Sequence, residues 1–119
     1  MKYVMLFVET ERFSKQLGEM PDDERARAFA LVDQWVAAHA DKLRGGNKLQ
    51  GAETATTVRL DQGPEPVVMD GPFVEGKEVV SGYFEVEAAD LDEVLAMART
   101  WPGCPVVEIR PIETGPPGA

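Results

Sequence analysis

The chain has 119 residues, a mass of 13.0 kDa, one Cys, one His and a formal charge of −9 at pH 7. That is one domain with a modest core, and its 44% apolar and 28% charged makeup excludes a disordered chain. A pI near 4.5 without a basic block excludes a nucleic-acid partner, and one Cys with one His excludes a disulfide framework or a thiolate–imidazole zinc cage.

Lys2 to Val8 reads as a strand, short, apolar and rich in β formers. Both of its faces are apolar. Val4, Leu6 and Val8 point one way, and Tyr3, Met5 and Phe7 the other. This apolar run is too short to span a membrane, and Glu9 and Glu11 follow at once, unlike a secretory leader. A cytoplasmic location is the expectation. No element is read between Glu9 and Met20.

A long helix is expected from Pro21 to about Arg44. Pro21 suits its first position, and Asp22, Asp23 and Glu24 oppose the positive end of the dipole. Phe29, Val32, Val36 and Leu43 form its apolar stripe, and Gly45-Gly46 ends it. Thr54 to Leu60 reads as a strand, Val67 to Met69 as a short strand, and Val79 to Glu87 as a longer one. Asp90 with Glu93 three residues on is a capping-box pattern that opens a second helix, from Asp90 to Thr100. Val106 to Ile112 is the last strand. The domain is expected over residues 1–113, with 114–119 a disordered Gly/Pro tail.

The order β-α-β-(β)-β-α-β suggests an α+β, ferredoxin-like sandwich. Two helices cover one face of such a sheet. One apolar row of the first strand therefore needs another cover, and a second copy packed sheet to sheet is the simplest. A homodimer is the expectation.

At Asp70-Gly71-Pro72-Phe73 a resemblance sets in. The stretch DGPFVEGKE (Asp70 to Glu78), then Gly82-Tyr83, then Ala89 to Glu93, resembles the DGPF branch of the YCII-related family. Ala55 to Arg59 upstream and Val107 to Pro111 downstream resemble its flanking strands, so the likeness runs from Lys2 to about Ile112. It implies a ferredoxin-like fold and a dimeric α/β-barrel assembly. It leaves the activity open and implies no cofactor. Some members are encoded beside extracytoplasmic-function sigma factors, and the wider superfamily includes enzymes acting on hydroxylated or lactone ring compounds. Val74 and Gly76 depart from the usual motif. An early Arg-x-x-His is also missing, since Arg27 is followed by Ala30, and His39 lies near the helix end.

Asp70 is the leading candidate for acid–base chemistry. Burial in a cleft between sheets would raise its pKa into a useful range. Its other reading is a turn former before Gly71 and Pro72. Arg59, Lys77 and Arg110 are, with Arg99, the only cations after residue 58, and residues 60–119 hold three Lys/Arg against twelve Asp/Glu. They either clamp an anionic ligand or pair with local acids such as Glu78. Ligand-binding positions are therefore expected at Arg59, Gly71, Pro72, Phe73, Lys77, Glu78 and Arg110. His39 follows Trp35 by one helical turn and reads as structural. Cys104 has no neighbour to lower its pKa and reads as inert, and no metal set is visible.

Two functions from different classes follow. One binds or transforms a small polar or aromatic metabolite in an inter-sheet cleft, with Asp70 as the acid–base group. The other is a non-catalytic binding or regulatory module associated with a sigma factor.

Overall fold

Lys2–Thr10 forms β1, and its alternation organises the domain. In the computed structural model, which describes residues 1–72 and 78–115, β1 is a central strand of a four-stranded antiparallel sheet. Its Tyr3, Met5 and Phe7 row is buried beneath the helices. Its Val4, Leu6 and Val8 row is only half-buried and lies on a face that no helix covers.

A helix starts without a loop. Glu11–Glu19 is α1, and the Thr10 side chain caps it by accepting from Phe13 N at 3.1 Å. The second helix, α2, is Asp22–Ala38. Arg25 fixes the corner between the two. Its guanidinium donates to the carbonyls of Leu17 and Gly18 at 3.2 Å and of Met20 at 2.8 Å. These carbonyls lie at and just after the end of α1, where few intrahelical donors remain, and Leu17 O also accepts from Met20 N at 3.3 Å.

The helix expected to reach Arg44 stops at Ala38, and Leu43–Lys48 is a strand, β2. Leu43 therefore leaves the helical stripe and pairs with Val86. Two glycines explain the change. Gly45 has φ +141°, which helix does not allow, and sits where the ladder shifts register. The Phe84 ring lies across Gly46, where a Cβ would stand 2.5 Å from Phe84 Cδ1. Sheet pairing wins over a segment with little helical preference of its own.

After a short 3-10 turn at Ala52–Thr54, β3 (Thr56–Arg59) and β4 (Val67–Asp70) pair with each other. They form a separate two-stranded ribbon, where the sequence suggested members of the main sheet. Glu78–Glu87 is β5, Leu91–Arg99 is α3 and Val106–Pro111 is β6. Asp90 caps α3 as its pattern predicts, accepting from Glu93 N at 3.0 Å. The sheet order β2-β5-β1-β6 is that of a ferredoxin-like α+β fold with the ribbon inserted between β2 and β5.

The core lies between the sheet and the helices. Met5 and Val86 meet Val94 and Met97 of α3 and Trp35 of α2. Trp35 Nε1 donates to Met97 O and to Thr100 Oγ1, both at 3.1 Å, and so ties the helices together. Among the described residues no helix is long and apolar enough to cross a membrane.

Arg25→Ala removes the donor that satisfies the end of α1. The expected loss is about 1–3 kcal/mol of stability, read by urea denaturation. A loss below about 0.5 kcal/mol would mean that another contact holds the corner.

Candidate active site

Helix α2 touches the sheet side mainly through its C-terminal half, where Trp35 is buried. Towards its N-terminal half the chain leaves a gap, and Phe29 remains 44% exposed. The gap is a cavity of about 680 Å³ on the helix side of the sheet. Phe7 and Phe84 line it from the sheet, Phe13 and Leu17 from α1, Phe29 and Val32 from α2, and Trp101 from the segment after α3. Asp33 also lines it, and both Phe29 and Asp33 are exposed.

Aromatic rings build its inner wall. Phe7 and Trp101 lie 4.2 Å apart between ring centroids. Phe7 meets Phe84 edge to face at 5.9 Å, and Trp35 meets Trp101 the same way at 4.9 Å. His39 lies over Trp35 at 4.6 Å and donates from Nδ1 to Trp35 O at 2.8 Å, the structural place its spacing predicts.

Polar groups in the lining are few. Glu9 continues the inward row of Tyr3, Met5 and Phe7, and its side chain is 15% exposed. Lys48 Nζ is 3.9 Å from Glu9 Oε2, an ion pair too long for a hydrogen bond. Cys104 also lines the cavity, and its thiol donates to Val106 O at 3.6 Å. Burial pushes the Cys104 thiol pKa up. Trp101 Nε1 itself is buried without a hydrogen-bond partner among the described residues.

Of the residues expected at an inter-sheet or inter-subunit cleft, the described ones lie outside this cavity. Asp70 is exposed at the end of β4, opposite Thr56. Arg59 stands opposite Val67, three rungs along the ribbon. Residues at odd and even steps leave opposite faces, so Arg59 and Asp70 do not converge. Arg59 forks onto Asp61, at 2.9 and 3.1 Å. Arg110 is exposed on the edge strand β6, beside Val4 on the uncovered face. Within one chain the described members Arg59, Asp70 and Arg110 stand apart from one another.

Gly71 has φ +108°, a glycine conformation that lets the chain leave β4. Its N–H donates to Ala55 O at 2.7 Å, and its carbonyl accepts from Thr57 Oγ1 at 2.6 Å. Pro72 and Glu78 line a second hollow, of about 770 Å³, at the base of the ribbon with Ala55 and Val80. Phe73 and Lys77 lie outside the described residues.

Sequence reasoning missed Glu9 because it ended the first strand at Val8. The signal was present: one more step of the alternation puts a carboxylate on the buried row. Among the described residues no group of three or more His, Cys, Asp or Glu side chains is placed to hold a metal ion.

Comparison with known proteins agrees with this architecture. The family described as YCII-related domain matches residues 1–114. An uncharacterised protein of Rhizobium meliloti (strain 1021) is 33% identical over 122 residues, covering 99% of this chain and 97% of that one. A solved structure with the same fold is 5-chloro-2-hydroxyhydroquinone dehydrochlorinase (TftG) from Burkholderia phenoliruptrix AC1100, in complex with 2,5-dihydroxybenzoquinone. It is 14% identical, with a TM-score of 0.57 over 97% of this chain and 96% of that one.

The raised Cys104 pKa keeps the sulfur as a thiol at mildly alkaline pH. In the folded protein at pH 8, Ellman's reagent is expected to react at least tenfold more slowly with Cys104 than in the denatured chain. Equal rates would mean that the wall around Cys104 opens freely.

Proposed function

This chain belongs to the YCII-related domain family, and from that footing we propose that it takes up a small, largely apolar ring compound between α2 and the sheet, to bind or transform it. The observation that carries this reading is the cavity of about 680 Å³ walled by Phe7, Phe84 and Trp101. Its volume falls within the range of small-molecule sites, about 300–1,000 Å³, and such sites are mostly apolar with few placed polar groups. The 2,5-dihydroxybenzoquinone held by the structural neighbour supports a ring compound as the ligand, though a more polar one. The site proposed here lies on the helix side of the sheet and leaves Asp70 on the ribbon.

Naphthalene is a suitable probe, because it tests the walls without any polar group. Calorimetric titration is expected to show one site per chain. Ala28→Trp, which places an indole in the gap beneath α2, is expected to weaken binding at least tenfold while circular dichroism stays unchanged. Unchanged affinity in that variant would remove the cavity from the reading.

The uncovered sheet face is assigned to a second copy. Val8 stands between Val80 and Val106, 46% and 38% exposed. The ribbon adds Val58, Leu60, Val68 and Met69, all exposed, with Leu60 at 76%. A lone two-stranded ribbon is marginal in water, so cover by a partner would stabilise it. The hollow at the base of the ribbon joins the same surface through Val80. Light scattering at micromolar concentration is expected to give twice 13.0 kDa. Val8→Asp is expected to halve that mass, and a wild-type monomer would refute the assignment.

A further inference from the structure

Glu9 is the chemically unusual member of the cavity wall. It occupies the last inward position of β1, after Tyr3, Met5 and Phe7. The backbone that carries it is fixed, because Glu9 pairs with Val79 on β5 and Thr10 caps α1 immediately afterwards. Most of its side chain is covered, with 15% exposed. Yet it accepts no hydrogen bond from the described residues, and Lys48 stands off at 3.9 Å. Lys48 is itself 65% exposed, so it approaches from the solvent side.

An ionised carboxylate offers about four acceptor positions. Leaving them unfilled is costly once a ligand in an apolar wall excludes water from them. A molecule bound in the cavity would cover the carboxylate. A ligand without a donor would then strand the charge, whereas a ligand with a hydroxyl would satisfy it. The surrounding rings accommodate the rest of a flat molecule.

We propose that Glu9 is the ligand-anchoring acceptor of the cavity, selecting ring compounds that carry a hydroxyl able to donate to its carboxylate. The selection rests on the cavity reading above and adds the direction in which the ligand lies. Its hydroxyl points to the β1–α1 junction, and its ring lies toward Phe7 and Trp101. No covalent step is required of Glu9. Its contribution is discrimination: a phenol keeps its hydrogen bond, and the matching ether or hydrocarbon leaves the acceptor empty.

The test uses the full chain and three probes of one shape, 2-naphthol, 2-methoxynaphthalene and naphthalene, in calorimetric titrations. The wild-type protein is expected to bind 2-naphthol about tenfold or more tightly than either of the others, the range for a hydrogen bond to a charged acceptor. In Glu9→Leu the three affinities are expected to converge to within about twofold, with the hydrocarbon retained or improved. Glu9→Gln, which keeps the shape and a neutral acceptor, is expected to fall between. Glu9→Leu is also expected to melt no lower than wild type, because it removes a charge without donors. A residue needed only for folding would behave in the opposite way.

Equal affinities for the three probes in the wild type, all lost in Ala28→Trp, would overturn the role of Glu9 and leave the cavity standing. A preference for 2-naphthol that persists in Glu9→Leu would also overturn it. Binding that survives Ala28→Trp, or no binding of any probe, would overturn the cavity and the anchor together.

Discussion

A four-stranded sheet has two faces, and this chain supplies helices for one. That constraint shapes the rest of the molecule. β1 lies at the centre of the sheet and carries apolar side chains on both sides. The odd row meets α2 and α3 and becomes the core. Among the described residues the even row has no cover, and the ribbon of β3 and β4 adds more exposed apolar surface without a core. The radius of gyration, 16.6 Å, exceeds the roughly 13.5 Å of a compact domain of this length. The thinnest dimension is only 18 Å. A plate of that kind has too little interior to satisfy both faces, which is the physical case for a second copy.

The helical side answers a different requirement. α1 follows β1 with no loop, and Arg25 binds the carbonyl end of α1 to the start of α2. The corner directs α2 across the sheet at a distance that only its C-terminal half closes. Trp35 reaches the core there and hydrogen-bonds into the end of α3. The other half holds Phe29 and Val32 away from the sheet. The cavity is thus a consequence of how the helices are tied at their ends. Helix-end hydrogen bonds and one buried indole set its height.

Much of this is legible in local pattern, and the exceptions have physical causes. The two-faced first strand and the Asp90–Glu93 cap can be read directly, because alternation and capping are local. The first helix was legible too, in Thr10 as a cap and in Phe13 and Leu17 four residues apart, but a short amphipathic segment beside a strand is easily passed over. β2 was not legible. Leu43 continues a helical stripe, and Gly45-Gly46 imitates a helix stop, so only pairing with β5 reveals the strand. The Asp70 motif drew the chemical reading because it is conspicuous. Its glycine is explained by the backbone turn at φ +108°, and its aspartate is exposed. The cavity arises from the height of α2 above the sheet, a distance that no local pattern encodes.

Glu9 shows why a functional position can hide inside a structural one. A row of Tyr3, Met5 and Phe7 is most simply continued by another apolar residue, and stability alone would favour that choice. The carboxylate is tolerated because it lies beside the start of α1, where the helix dipole favours negative charge, and because Lys48 is within 3.9 Å. Neither neighbour satisfies its acceptor positions. Such a local conflict between folding and chemistry is the kind of place where function is found. Here the aromatic walls supply affinity without direction, and one acceptor at the end of a rigid strand supplies direction without much affinity. A ligand needs both, and the carboxylate at the end of the apolar row sets the two side by side.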